Sequence, residues 1–384
     1  MIRTFHYKLH PNEAQARVLK DWIRQCCTLY NAALEQRITG WRSQHRSITF
    51  FDQTADLTAL RASDPEWSVV PAEVQRSALR RLNRAYEAFF RRVKRGEKPG
   101  FPRFRSVRRY NSFDISRATV KKDRVYIPKL GHVKMNLHRP IEGTIKNVTV
   151  KRDSTGKWWV SLQCDLGPAP EKCAIQSSVG IDLGLTTLAM RSDGQAIPNP
   201  RFGKRGADQL TKRQRKLAKK KKGSKNRQKA QILVAKAHAH VANQRLDHAR
   251  KEAKKLYDEF DEVAYEDLSV QRLCRGQFSK SMHDAAWGIF LRCCASKAEY
   301  AGKHHTPKDH RQTSQRCSSC GARVKLTLAE RVYRCSSCGL EIDRDHNAAI
   351  NVRFARPGRS GADKGRVRHA RAGPVGVERK ASDV

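Results

Sequence analysis

Val179-Gly-Ile-Asp182-Leu-Gly-Leu-Thr-Thr-Leu-Ala-Met190 is a nearly continuous apolar run with one ionisable residue inside it, Asp182. Apolar residues at both parities predict a strand buried on both faces, the situation of a sheet covered by helices. An ionised carboxylate in such a strand costs several kcal/mol unless a partner neutralises it. Asp182 therefore either ends the strand at a solvated turn or faces a cation. Two further segments place acids in comparable surroundings. Glu266 closes the strand-like run Glu262-Val-Ala-Tyr-Glu266, and Asp343-Arg-Asp345 precedes the apolar helix start His346-Asn-Ala-Ala-Ile-Asn-Val352. Either of the last two aspartates also suits a helix N-cap. Three carboxylates in strand, strand and helix contexts fit a site that holds two divalent cations about 4 Å apart around a scissile phosphate. Hard oxygen ligands favour Mg²⁺ or Mn²⁺ over zinc there.

A second cluster is decided by local spacing. Cys317-Ser-Ser-Cys320 and Cys335-Ser-Ser-Cys338 are two knuckles separated by fourteen residues, with Gly321 and Gly339 following each one. That spacing lets two tight turns offer four thiolates to one tetrahedral zinc, and four protein ligands leave no position for water or substrate. The predicted zinc is structural. The remaining seven of the eleven cysteines are expected in the core, because the count is odd and two pairs are adjacent, a pattern that suits a reducing compartment better than disulfides.

Charge names the partner class. The 384 residues carry 78 Lys and Arg against 37 Asp and Glu, a formal net charge of +41. A chain so far from neutrality is expected to bind a polyanion and release its counterions. Residues 201–230 alone hold fourteen Lys or Arg and a single Asp. No apolar stretch reaches the length of a membrane span, and the N-terminal MIRTFHYKLHPNEAQ lacks the apolar region of a secretory signal. The expected location is the cytoplasm, with no membrane partner.

Outward from these sites the chain divides by periodicity. Residues 2–9 read as a strand. Asn12 with Gln15 forms a capping box for a long helix whose buried stripe includes Val18, Leu19, Trp22, Ile23, Cys26, Leu29 and Tyr30. A second amphipathic helix carries Val74, Ala78, Leu79, Leu82, Tyr86, Phe89, Phe90 and Val93 on one stripe and arginines elsewhere. Segment 96–111, with two prolines and aromatics among arginines, suits a loop or edge strand. Strands are predicted over 118–127, 131–136, 143–152 and 157–165, with a hairpin turn at Asp153-Ser-Thr-Gly156. Basic helices follow over 207–258, then the Glu262 strand and a helix over 283–302. Arg91, Arg92, Arg95, Arg103, Arg105, Arg108 and Arg109, interleaved with Phe101, Phe104 and Tyr110, are candidates for nucleic-acid contact.

The order GIDLGL, YEDL, the paired CSSC knuckles and DRDHNAAIN resembles the TnpB family of transposon-encoded RNA-guided nucleases, relatives of type V CRISPR effectors. YKLHPNEAQ with LYNAAL, GFPRF at 100–104 and IKNVTVKRDSTGKWWVSLQ at 145–163 are similar to further family blocks. The resemblance implies an α/β protein with added α and β modules: a helical recognition lobe at 10–95, a wedge-type β-barrel from 1–9 and 96–170, and an RNase H-like (RuvC) nuclease domain from 175–308 and 340–355. A zinc ribbon at 309–339 interrupts the nuclease; residues 356–384 lie outside the resemblance, and their Gly-, Arg- and Ala-rich composition predicts a disordered tail. The resemblance further implies that Asp182, Glu266 and Asp345 are the catalytic triad and hold Mg²⁺ or Mn²⁺, with Asp343 as the nearby alternative for the third acid. The implied partners are a guide RNA from the chain's own element and double-stranded target DNA, cut beside a short adjacent motif in a bacterial nucleoid; the oligomeric state stays open. Two other functions stay open, a nuclease-dead RNA-guided repressor and a DNA-strand-transfer transposase.

Overall fold

The computed structural model describes residues 1–357 apart from 117, 310, 328 and 329; the predicted tail lies outside these residues except for its first two. The chain separates into two compact units. One comprises Met1–Pro168 with Lys219–Lys236, and the other Ala169–Ala218 with the chain from Ala237 onward.

The first unit opens with β1 (Ile2–His10), then four helices, α1 (Glu13–Gln44), α2 (Phe50–Ser63), α3 (Pro65–Ser68) and α4 (Ala72–Lys94). Six strands follow: β2 (Ser112–Ile115), β3 (Thr119–Lys121), β4 (Arg124–Ile127), β5 (Gly131–Met135), β6 (Thr144–Arg152) and β7 (Trp158–Asp165). The capping box at Asn12 and Gln15 forms as the spacing predicts. So does the turn at 153–156, where Asp153 Oδ1 accepts from the N–H groups of Thr155 and Lys157 and Gly156 takes a φ of 87°. The seven strands pair antiparallel in the order β2-β6-β7-β1-β5-β4-β3.

The expected barrel is corrected here. Among the described residues β2 and β3 are end strands and the sheet stays open. Its inner face has a different cover: α1 and α4 share one core with the strands, Trp22 of α1 meets Phe113 of β2 edge-on at 5.8 Å, and Arg81 of α4 pairs with Asp114 of β2 at 3.0 Å. A sheet faced by helices has no need to close on itself to bury its apolar side.

The second unit contains β8 (Ser178–Leu183), β9 (Thr187–Arg191), β10 (Ala196–Pro198), α5 (Phe202–Arg205) and α6 (Ala207–Ala218). It continues with α7 (Lys225–Glu259, from residue 237), β11 (Glu262–Glu266), α8 (Val270–Leu273), α9 (Ser279–Ala285), α10 (Trp287–Ala301), β12 (His304–Lys308), β13 (Val332–Arg334), β14 (Glu341–Asp343) and α11 (Arg344–Phe354). Five strands form a mixed sheet ordered β10-β9-β8-β11-β12, in which β8, β11 and β12 run parallel. The chain leaves β8 toward one edge for β9 and β10 and returns on the other side with β11. The C-terminal ends of β8 and β11 thus flank a topological switch point, where open α/β sheets place their ligands.

Alternation along β8 explains why its run is apolar at both parities. Val179, Ile181 and Leu183 belong to a core with Leu256 of α7 and Phe290 of α10. Gly180 points the other way, and a Cβ added there would lie 2.2 Å from the Ala349 carbonyl oxygen and 2.6 Å from the Arg353 nitrogen, both on α11. Glycine lets α11 cross directly on the strand backbone. No helix among the described residues is long and apolar enough to cross a membrane.

Candidate active site

Period-two alternation puts Asp182 on the Gly180 face of β8, beneath α11. The parallel register pairs Ala264 with Gly180 and Tyr265 with Ile181, so Glu266, the next residue of β11, comes level with Asp182 on that same face. Asp345 lies in the first turn of α11, which the bare backbone at Gly180 brings down onto the two strands. The three predicted acids are therefore neighbours inside one unit, although among the described residues only the four cysteines bring their ligand atoms within 4.8 Å of one another. Their charges interact: the Asp182 carboxyl is held well above the ordinary carboxylate range, by burial first, then by Glu266 and Asp345, with Arg344 opposing. Asp182 keeps some accessible surface at the residue level, but its carboxyl sits deep enough for burial to dominate.

Asp343 and Asp345 divide the two roles that the sequence leaves open. Asp343 is the N-cap of α11, its Oδ1 accepting from the N–H groups of Asp345 at 2.9 Å and His346 at 3.0 Å. That leaves the Asp345 carboxylate near enough to raise Asp182, and it is flanked by Arg344 at 3.2 Å and Arg331 at 3.7 Å. The helix is also tied to the sheet by His346, whose Nε2 lies 3.2 Å from the Ser192 carbonyl oxygen. Glu266 is buried, and Thr313 Oγ1 donates to its Oε1 at 2.6 Å.

This donor set fits hard divalent cations. Burial first, and then the two neighbouring acids, oppose ionisation of Asp182, and a divalent cation held by oxygen ligands would offset that cost. The site lies at the ends of β8 and β11, with Glu266 buried and Asp182 half-buried. A cavity of about 510 Å³ elsewhere in this unit is lined by Phe202, Leu210, His238 and Arg245 among others, and none of the three acids lines it.

The four cysteines also converge, with every pair of sulfurs within 4.8 Å. Cys317 and Cys338 Sγ are 3.6 Å apart, Cys320 and Cys335 Sγ 3.5 Å, close to the edge of about 3.8 Å that a tetrahedron of 2.3 Å zinc–sulfur bonds requires. The two knuckles are built alike. Gly321 donates to the Cys317 carbonyl and Gly339 to that of Cys335, each at 3.0 Å, with φ of 75° and 74°. The thiols cannot all ionise unaided: the Cys338 N–H pulls Cys335 down to about 6, while at Cys320 the Ala322 N–H is outweighed by the neighbouring sulfurs, which push it up to about 12. A zinc ion suits this set. Of the other cysteines, Cys26, Cys27, Cys164 and Cys294 are buried as expected, Cys274 and Cys293 are half-buried, and Cys173 is exposed. Cys173 falls in the segment joining β7 to β8, where its N–H donates to the Gly302 carbonyl and no core is at hand.

Among the proposed nucleic-acid contacts, Arg91, Arg92, Arg95, Arg103, Arg105, Arg108 and Arg109 are exposed. Tyr110 is not available for base stacking. It is buried, with its ring 6.1 Å from that of Tyr30 and under the Arg81 guanidinium at 5.6 Å. Sequence reading missed Thr313, Arg331, Arg344, Asn347 and Asn351. A signal existed for the asparagines, since two amides four residues apart in an apolar helix start mark one polar line on a buried face.

Known proteins resemble the chain along its length. Family models described as "Probable transposase", "Cas12f1-like, TNB domain" and "Helix-turn-helix domain" match residues 161–276, 287–352 and 1–46. A Streptomyces pristinaespiralis protein named "Putative RNA-guided DNA endonuclease" is 33% identical over 363 residues, covering 91% of this chain and 88% of its own. The chain belongs to the TnpB family. An Escherichia coli K12 relative, "Putative RNA-guided DNA endonuclease InsQ", is 27% identical over 91% of both chains. The Cas12f1 protein of a cryo-EM complex with sgRNA and target DNA shares the fold, with a TM-score of 0.59 at 16% identity over 89% of this chain and 83% of that one. The mini-RNA-guided endonuclease Cas-phi3 does so at 0.50, with 8% identity over 92% of both. In this TnpB-like chain the residues matched by the helix-turn-helix model form β1 and one uninterrupted helix, α1.

Proposed function

We propose that this chain is an RNA-guided DNA endonuclease that cuts with Asp182, Glu266 and Asp345. The observation that carries the reading is the proximity of these acids at the ends of β8 and β11 under α11, with the Asp182 carboxyl raised by burial and by the other two. The strand order, with β8 between an antiparallel and a parallel flank, supports an RNase H-like nuclease domain over 175–308 and 340–355. Names of the relatives and the fold shared with Cas12f1 support RNA and DNA as partners.

Asp182, Glu266 and Asp345 would hold Mg²⁺ or Mn²⁺, which supply an activated water and stabilise the leaving oxygen of the scissile phosphate. The chain's own residues orient the site. Gly180 sets the depth of α11, Asp343 caps it, and Arg344 and Arg331 steady Asp345 from its outer side. Cys317, Cys320, Cys335 and Cys338 would hold a structural zinc in a ribbon spanning 309–339. In unit one, residues 10–95 act as the recognition lobe and 1–9 with 96–170 as the wedge, presenting exposed arginines to the phosphates of a guide–target duplex. The protein then reads only a short motif beside the target, and base pairing reads the rest.

The test is to purify the protein with its bound nucleic acid, sequence the RNA, and supply a version whose guide segment matches a plasmid. A discrete RNA from the flank of the gene and guide-dependent cutting are expected. A salt-removable mixture of RNAs with no programmable cutting would overturn the reading, and strand joining of element ends in its place would establish the transposase. Guide-dependent binding without cutting would establish the repressor.

A further inference from the structure

Thr313 lies in an arrangement that neither the cysteine spacing nor the three acids explain. Its hydroxyl donates to Glu266 Oε1 at 2.6 Å, with Thr313 6% and Glu266 8% exposed. That length is at the short end of the range for a hydroxyl donating to an oxygen acceptor. The same short segment is pinned from its other side by α11. Asn351 Nδ2 donates to the carbonyl oxygens of Thr313 at 2.8 Å and Arg316 at 2.6 Å. Asn347 Nδ2 donates to the Arg316 carbonyl at 2.8 Å, and its Oδ1 accepts from the Ser318 N–H at 2.9 Å, inside the first knuckle. Asn347 is fully buried, and Asn351 stands one turn further along the same face. Residues 313–318 therefore form a strap. It touches Glu266 at one end, enters the cysteine cluster at the other, and lies along the helix that carries Asp345.

We propose that Thr313 is a positioning residue for Glu266, and that the strap transmits the order of the four-cysteine cluster to the carboxylate site. The inference rests on the reading of Asp182, Glu266 and Asp345 as cation ligands. The last torsion of a glutamate is broad and nearly two-fold, so the torsion itself does not decide which oxygen Glu266 presents. A hydroxyl fixed on Oε1 sets that choice before a cation arrives. Groups that orient metal ligands in this way are worth about 10- to 100-fold in metal affinity.

The experiment measures Mn²⁺ binding by electron paramagnetic resonance on the full chain with its co-purified RNA, in the wild type, Thr313→Val, Thr313→Ser, Cys317→Ser and Glu266→Gln. Thr313→Val keeps the shape and removes the donor, and is expected to weaken Mn²⁺ by about 10-fold with zinc content unchanged. Thr313→Ser restores binding to within about threefold, because the hydroxyl returns. Cys317→Ser is expected to match the loss in Thr313→Val. Wild-type affinity in Thr313→Val while Glu266→Gln loses Mn²⁺ would overturn the positioning role and leave the carboxylate site standing. An unrescued Thr313→Ser would assign the effect to packing and overturn it too. Unchanged Mn²⁺ binding in Cys317→Ser would overturn the transmission along the strap. Unchanged binding in Glu266→Gln would overturn the carboxylate site itself.

Discussion

The carboxylate cluster and the cysteine cluster face the same electrostatic problem with opposite assembly. Each gathers like-charged ligands that cannot all ionise without a cation. The cysteines come from one short hairpin whose two glycine-closed turns present them locally. The acids come from two strands and a helix far apart in sequence, and they meet only through the β8–β11 register and the crossing of α11 over Gly180. A local site can be lost by changing one turn. A dispersed site depends on packing between elements, so it can be damaged from positions that never touch a ligand.

The largest expected effect is on chemistry alone. Asp182→Ala should reduce guide-dependent plasmid cutting by on the order of 10³-fold or more, while RNA-dependent DNA binding, followed by filter retention, stays within about twofold. Equal losses in both would make Asp182 a structural residue and dissolve the comparison. Next comes the local site: Cys317→Ser should drop zinc measured by mass spectrometry from about one ion per chain to near zero. Retained stoichiometric zinc would contradict the cluster.

Gly180→Ala sharpens the contrast, since the added methyl meets backbone atoms of α11 that have no room to yield. Destabilisation of about 1–3 kcal/mol and a calorimetric melting temperature lower by several degrees are expected, with zinc content intact. An unchanged melting temperature would show that α11 does not rest on β8 as described.

The smallest effect carries an unusual sign. The folded-state pKa of Asp182 is raised, by burial and then by Glu266 and Asp345. The native chain therefore holds a proton that the unfolded chain releases above about pH 4, and stability from this group falls as pH rises from there toward the folded value. Asp182→Asn removes that loss. In EDTA at pH 7 the variant should melt a few degrees above the wild type, and the difference should vanish below about pH 4. A variant that melts lower at neutral pH would contradict the like-charge account.

Much of this was legible from residues alone, and the boundary is physical. The Asn12 capping box, the α1 stripe and the knuckles all depend on neighbours within a turn or a hairpin, and they form as read; the α4 stripe is buried only from Val74 to Leu82, with Phe90 and Val93 exposed at its far end. The three acids were legible as unusual residues in apolar settings, but their meeting required the sheet order. What spacing could not reach was decided by tertiary packing. Tyr110 looked like a stacking aromatic among arginines and is buried against Tyr30. The barrel came with the family resemblance, and nothing in the strands themselves announces that α1 and α4 cover them. Thr313 and Asn351 look like ordinary polar residues until the strap is seen between Glu266 and α11. The division of labour between Asp343 and Asp345 likewise needed the helix start, where only one carboxylate reaches the free N–H groups.

The most direct test of the central claim is to count Mn²⁺ bound per chain, with zinc already in place, in Asp182→Asn, Glu266→Gln and Asp345→Asn, each compared with the wild type and with Asp343→Asn. Each of the three changes should empty the same site, whereas Asp343→Asn should shift the melting of α11 and leave Mn²⁺ bound. Wild-type Mn²⁺ binding in any one of the three, or loss in Asp343→Asn equal to theirs, would contradict a shared site built from Asp182, Glu266 and Asp345.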